Sequence, residues 1–250
     1  MTASVSADFI KPVVPEGGRQ PLVARVIGIL RSPRTTLDAV AAEPRWGAVL
    51  ALTFVVSLVS SALLLETEVG QLALIDQWER TAVAFGQTMD DTQYAALVEA
   101  SEHGVAYAVL SSFASGPLLT AAVAALLFVI FTVGMRGTVT YRQVLAVVAH
   151  AGVIIAVRQV IAAPVNYARE TLASPTAASF LFTMLDEASP IARFLGAIDL
   201  FVVWWITVLA LGIALLYGHR ARPLVFIFIG AYVALALVLA VVMAVTGGTA

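Results

Sequence analysis

Five long apolar stretches, separated by more polar segments, dominate the pattern of hydrophobic and polar positions along the chain. They cover residues 46–65, about 113–135, 144–163, 194–217 and 224–245. A hydrocarbon core about 30 Å thick takes about 20 residues of α-helix to cross, and each stretch reaches that length. Because the backbone finds no water there, each stretch must be helical. The sequence therefore predicts an all-α, polytopic membrane protein whose domain, residues 46–246, is a bundle of five transmembrane helices.

The segments outside these stretches predict three further parts. Residues 1–21 are polar and carry several prolines, which indicates a disordered cytoplasmic tail without the apolar core of a signal peptide. Residues 22–45 mix basic and apolar positions, and Ser32-Pro33 is a helix start, so we expect amphipathic helices in the membrane interface. Ordinary cytosolic helices packed under the bundle are the alternative. Residues 90–103 alternate polar and apolar positions at helical spacing, which predicts an amphipathic helix on the outer face.

The charges of the loops give the bundle a direction. Ten basic residues precede the first span or lie in the second-to-third and fourth-to-fifth loops, whereas the opposite loops hold three basic and eleven acidic residues. The positive-inside rule then predicts a cytoplasmic N-terminus and an outside C-terminus in a cytoplasmic, or inner, membrane. Four of the basic residues are expected at the cytoplasmic membrane surface: Arg25, Arg31, Arg34 and Arg45.

Composition narrows the chemistry. Apolar residues make up 60% of the chain and charged residues only 12%, which is typical of a membrane protein. The net charge of −2 disfavours a nucleic-acid partner, and the absence of cysteine excludes disulfides and thiolate sites. No spacing matches a catalytic or metal-binding motif, so we expect no enzyme activity, cofactor or metal. The expected partners are membrane lipids, an unidentified membrane or cytoplasmic protein, and a second copy of the chain.

Three ionisable residues fall inside the predicted spans: His150, Arg158 and Asp199. Burying such groups in a membrane is costly, so each needs a partner or a function. Arg158 and Asp199 lie at similar depth on two consecutive antiparallel spans, which favours an ion pair that joins the helices. A proton or ion path through His150 is one alternative, and outward snorkelling of Arg158 is another. If the pair is structural, exchanging its two charges should restore folding that either single alanine substitution impairs.

Several short segments carry a resemblance to a known family. They are Ser32-Pro33-Arg34-Thr35-Thr36-Leu37, Glu43-Pro44 before the first span, residues 140–146 (TYRQVLA) and residues 197–205 (AIDLFVVWW). In these segments and in their order the chain resembles the Yip domain family, the Rab/Ypt-interacting integral membrane proteins, in its prokaryotic branch. The resemblance implies a five-helix membrane domain with a cytosolic N-terminus. The family's eukaryotic members are associated with vesicle trafficking and Rab-type GTPases, but this chain lacks their Asp-Leu-Tyr-Gly-Pro motif.

Two functions follow as hypotheses. The first is a non-enzymatic membrane protein that organises membrane, takes part in trafficking or recruits partners as a scaffold. The alternative is a small transporter or channel component that uses the intramembrane polar residues as a proton- or ion-linked cluster.

Overall fold

The structure, a computed structural model, describes residues 20–134, 137–181 and 189–246. Within these ranges five helical segments are long and apolar enough to cross a membrane. This confirms the predicted all-α fold with five spans. The spans are Gly47–Leu65, Gly104–Gly134, Tyr141–Arg169, Leu200–Tyr217 and Ala221–Thr246.

Some spans are divided, and shorter helices lie between them. Two π-helical segments, Ala114–Leu118 and Val129–Gly134, interrupt the second span, and a 3₁₀ turn covers Ala178–Leu181. The α-helices are α1 Leu22–Arg31, α2 Pro33–Ala42, α3 Gly47–Leu65, α4 Glu68–Ala84, α5 Asp91–Ser101, α6 Gly104–Phe113, α7 Leu119–Phe128, α8 Tyr141–Ala151, α9 Val153–Arg169, α10 Pro190–Ala197, α11 Leu200–Tyr217 and α12 Ala221–Thr246.

The starts of the second and fourth spans and the end of the third differ from those that hydropathy predicts, and the third span continues to Arg169 rather than residue 163. The second span begins at Gly104 rather than near residue 113, because the mixed sequence of α6 is helical as well. Proline cannot donate a backbone hydrogen bond, and the first π-helical segment contains Gly116-Pro117. The fourth span begins at Leu200 rather than residue 194, because the chain turns extended at Ile198 and Asp199.

Helices α1 and α2 form a hairpin that packs into one end of the bundle, which we call the hairpin face. Ile29 of α1 and Leu37 of α2 are completely buried. Leu37 reaches α8 and α11, where Val147 is also completely buried and Gly212 lets the helices approach closely. The hairpin is therefore part of the core, while its opposite side remains exposed.

The other end of the bundle, the loop face, carries α4, α5 and the segment from residue 170 to α10. Helix α5 lies where the outer amphipathic helix is predicted, and a capping box between Asp90 and Gln93 fixes its start. Helix α4 follows α3 directly, and α10 packs against α12. The two ends of the bundle therefore differ: one carries the α1–α2 hairpin, and the other carries α4, α5 and the segment that leads to α10.

The close contact at Gly212 predicts a position-specific effect of adding one methyl group. A Cβ at residue 212 would clash with Val147, whereas a Cβ at Gly230 of α12 would meet none of the described atoms within 4 Å. Gly212→Ala should destabilise the protein by about 1–3 kcal/mol through overpacking. Gly230→Ala should leave stability unchanged or raise it by up to about 1 kcal/mol, because alanine favours helix.

Thermal unfolding of both variants in the same detergent checks this. Equal melting temperatures for the two variants would contradict the packing of the hairpin against α8 and α11.

Candidate functional site

Asp199 is the N-cap of α11, and its carboxylate accepts hydrogen bonds from two directions. Oδ1 accepts from the backbone N–H groups of Phe201 at 2.8 Å and Val202 at 3.3 Å, which are donors left free at a helix start. Oδ2 accepts from three side chains. Since α11 is about 27 Å long, its N-cap lies near the loop-face end of a core about 30 Å thick.

The three side chains that donate to Oδ2 come from two parts of the chain. Nε of Arg158, on α9, lies 2.9 Å from Oδ2. The hydroxyls of Ser174 and Thr176, in the loop after α9, lie 2.5 Å and 2.8 Å away. Nη2 of Arg158 also donates to Ser174 Oγ at 3.0 Å. The ion pair is thus embedded in a network that fastens the loop to both helices.

A tyrosine from the fifth span completes this arrangement. The hydroxyl of Tyr232 donates to the carbonyl of Ala197 at 2.6 Å and accepts from the backbone N–H of Asp199 at 3.0 Å. A β-bridge between Ala177 and Asp199 adds backbone contacts. We call the set Arg158, Ser174, Thr176, Asp199 and Tyr232 the Asp199 junction.

The junction also sets the ionisation of its carboxylate. Burial by itself raises the pKa of Asp199, which is 5% exposed. The hydrogen bonds from Ser174 and Thr176 and the charge of Arg158 outweigh burial, so the pKa lies below its ordinary value. The carboxylate is therefore held in its charged form.

His150 is not part of the junction. It is completely buried on α8, where Nδ1 lies 2.7 Å from its own helix at Ala146 O and Nε2 lies 3.3 Å from Nη1 of Arg25. A guanidinium only donates, so Nε2 accepts and the ring proton sits on Nδ1. The structure therefore brings His150 together with Arg25 of α1, on the hairpin side of the bundle, and leaves Arg158 and Asp199 to each other.

The four predicted surface arginines divide into two kinds. Arg25 is half-buried, and its Nη1 also donates to the carbonyl of Arg45 at 3.0 Å. Arg31, Arg34 and Arg45 are exposed, and Arg45 pairs with Glu43. Arg25 thus holds the hairpin to the bundle, whereas the other three point to the exterior of the hairpin face.

A cleft with both apolar and polar side chains in its walls runs into the bundle from the loop face. It consists of two cavities, of about 220 Å³ nearer the loops and about 270 Å³ deeper between the spans, and Arg158 lines both. Helix α3 forms one wall and packs against both α6 and α9. At the deep end, Val123 and Val148 line the cavity where α7 packs against α8. Hydroxyl groups line this loop-face cleft: Thr53, Ser57 and Ser61 on α3, and Ser111, Ser115 and Thr120 on the second span.

One buried side chain in the cleft has an unmet hydrogen-bonding requirement. Asn166 of α9 is 9% exposed and lines the cavity nearer the loops. Its carboxamide oxygen, Oδ1, is buried without a hydrogen-bond partner among the described residues. A buried unsatisfied acceptor costs about 1–3 kcal/mol. By contrast Gln159, one turn or more deeper, donates to Ser61 at 2.9 Å.

Sequence reasoning found Arg158 and Asp199 but missed several of the residues around them. Ser174 and Thr176 lie in a polar loop without a recognisable motif, and Tyr232 is one aromatic residue in an apolar span. Hydropathy predicts that the third span ends at residue 163, just before Pro164, and Asn166 lies beyond that end. In the structure the helix continues through Pro164 to Arg169. The sequence signal that could have identified these residues was a polar side chain inside or next to an apolar span.

Comparison with known proteins identifies a family. A family model described as the Yip1 domain matches residues 27–243, which is most of the chain. Searches of curated proteins and of solved structures find no match to the chain. The matched range includes the first four spans completely and the fifth span up to residue 243. It also includes the Asp199 junction and the loop-face cleft.

The junction predicts an order among variants at position 199. Asp199→Ala removes the N-cap and leaves Arg158 unpaired, which should cost about 3–5 kcal/mol. Asp199→Asn keeps an acceptor for the backbone N–H groups of α11 and should lose less, because asparagine is as good an N-cap. The melting temperature of the full chain in detergent should therefore follow the order wild type, Asn, Ala.

The structure reverses the expected outcome of the charge exchange. An arginine at position 199 cannot accept from Phe201 and Val202, because a guanidinium has no acceptor. The double variant Arg158→Asp/Asp199→Arg should therefore melt no higher than Asp199→Ala. A melting temperature close to wild type would show that the ion pair alone matters and that the N-cap does not.

The lowered pKa of Asp199 predicts a pH dependence. A depressed pKa in the folded state gives stability that is present above the unfolded value of 3.8 and lost as the pH falls through the folded pKa. The stability difference between wild type and Asp199→Asn should thus be constant above about pH 5 and shrink below pH 3.8. Melting curves of both proteins from pH 7 to pH 3 test this, and a difference that grows on acidification would contradict it.

Proposed function

Because the chain belongs to the Yip1 domain family, we propose that it is a non-enzymatic, multi-pass membrane protein that organises the membrane around it. In this proposal the hairpin face lies in the cytoplasm and the loop face lies outside a cytoplasmic membrane, as the loop charges favour. Its working surface is the exposed side of the α1–α2 hairpin, on which anionic lipids and partner proteins gather.

The observation that carries the proposal is a hairpin that is packed against the bundle on one side and is apolar and basic on its outer side. Val23 and Ile27 of α1 are 67% and 45% exposed, one turn apart, and Arg31 continues the same side of the helix. Arg34 of α2 is exposed beside them. Apolar side chains next to arginines are the pattern of a helix that lies in the membrane interface and attracts anionic head groups.

The packing of the hairpin supports a fixed position for this surface. The opposite sides of both helices are buried in the bundle core through residues such as Ile29 and Leu37. Gly28 of α1 contacts Thr36 of α2 so closely that even a Cβ would clash. A surface held this firmly keeps its arginines at one depth, unlike a tethered amphipathic helix. Further exposed arginines on the same face are Arg142, Arg220 and Arg222.

Two observations favour this role over the alternative of a small transporter or channel component. The carboxylate of Asp199 is saturated by five donors, which leaves it no free lone pair with which to carry a proton or an ion. His150, the candidate relay, bonds to Arg25 and not to the junction. The polar groups of the spans therefore favour a structural joint.

Enrichment of anionic lipid around the hairpin tests the proposal. The chain contains no cysteine, so Ile27→Cys provides a single labelling site on the exposed side of α1. After reconstitution in vesicles with dilute fluorescent lipids, energy transfer from residue 27 should be several-fold stronger to an anionic lipid than to a zwitterionic one. Arg31→Gln/Arg34→Gln should reduce this excess several-fold, since each arginine near an anionic surface contributes about 1 kcal/mol.

The matched control changes two charges on the loop face. Glu99 and Glu102 are exposed on and next to α5, and Glu99→Gln/Glu102→Gln should leave the energy transfer at residue 27 unchanged. Equal transfer to anionic and zwitterionic lipids in the wild type would contradict the proposal.

A further inference from the structure

The loop-face cleft has the features of a ligand site, and its side chains indicate which chemical groups a ligand must carry. Arg158 uses Nε for Asp199 and one hydrogen of Nη2 for Ser174. Its other terminal nitrogen, Nη1, makes no hydrogen bond to the described residues, although Arg158 lines both cavities. The free N–H groups of a guanidinium match the oxygens of a phosphate, which they bind in pairs.

The second requirement comes from Asn166. Its Oδ1 is buried in the wall of the same cavity and lacks a donor among the residues that the structure describes. Buried polar groups are nearly always hydrogen-bonded, so an orphaned acceptor beside a cavity indicates a missing partner that carries an N–H or O–H group. The cleft therefore calls for a ligand with phosphate oxygens for Arg158 and a hydrogen-bond donor for Asn166.

The position of the cleft indicates that the ligand is a lipid. The cleft lies between membrane-spanning helices, and Ser111 of α6 lines it. Next to that serine, Leu110 and Phe113 are 68% and 53% exposed on the surface of the second span. A lipid can therefore place its polar head group among the hydroxyls while its acyl chains lie along this apolar surface.

We propose that the loop-face cleft binds the head group of a phospholipid whose phosphodiester contacts Arg158 and whose terminal ammonium or hydroxyl donates to Asn166. The site accepts phosphatidylethanolamine and phosphatidylglycerol, because both head groups end in donors. It rejects phosphatidylcholine, whose quaternary ammonium has no N–H group. This binding is separate from the attraction of anionic lipids to the hairpin face, which lies at the other end of the bundle.

Native mass spectrometry of the delipidated full chain in detergent tests the proposal by titration with each lipid. The wild type should bind phosphatidylethanolamine and phosphatidylglycerol about tenfold more tightly than phosphatidylcholine, the equivalent of about one hydrogen bond. Asn166→Leu should bind all three equally and weakly. The same variant should melt at or above the wild-type temperature without lipid, because it removes an unsatisfied acceptor. A purely structural asparagine would instead make the variant melt lower.

A second variant keeps the test decisive if Asn166→Leu cannot be purified. Asn166→Asp retains an acceptor with a negative charge, so it should keep phosphatidylethanolamine and disfavour phosphatidylglycerol. The matched control is Thr207→Val on α11, whose hydroxyl donates to its own helix at Val203 and does not line either cavity of the cleft among the described residues. This control should bind lipids as the wild type does.

Two results would overturn the proposal. One is equal affinity of the wild type for the three lipids. The other is binding of soluble glycerophosphoethanolamine as tightly as phosphatidylethanolamine, which would identify a free solute rather than a lipid as the ligand.

Discussion

The joint between the third and fourth spans depends on one buried carboxylate, that of Asp199, and on the five donors that satisfy it. Two of these donors are backbone N–H groups at the start of α11, one is the guanidinium of Arg158, and two are hydroxyls from the loop after α9. A charge can remain buried only when its hydrogen-bonding capacity is filled. Satisfying this single group therefore fixes the third span, the fourth span and the loop between them, and Tyr232 adds the fifth span.

The two ends of the bundle are built on different physical principles. At the hairpin face, apolar packing dominates: α2 fits against α8 and α11 at Gly212, and α7 packs against α8. At the loop face, polar contacts hold the helices, and room remains between α3, α6 and α9 for the cleft. Arg158 belongs to both the junction and the cleft. The Asp199 junction, which connects the helices, thus also places a charged group in the wall of the cleft.

The features that depend on residue composition and on depth along a span could be predicted from the sequence. Apolar length predicts the five spans, and the equal depth of Arg158 and Asp199 on consecutive antiparallel spans predicts their contact. The sequence did not predict the interruption of the helix at Ile198 and Asp199. Hydropathy is averaged over a window of residues, so a single capping residue inside an apolar stretch does not show. The sequence also did not predict the partner of His150. No pattern near residue 150 shows that α1, which carries Arg25, packs against α8.

Hydrogen–deuterium exchange on the full chain in lipid nanodiscs tests the central role of the junction most directly. The amides of Phe201 and Val202 and those of residues 176–178 should be protected in the wild type, because the Asp199 carboxylate holds both segments. In Asp199→Ala, both segments should exchange together and much faster, while α8 stays protected. Unchanged exchange in these two segments would show that the bundle does not depend on Asp199.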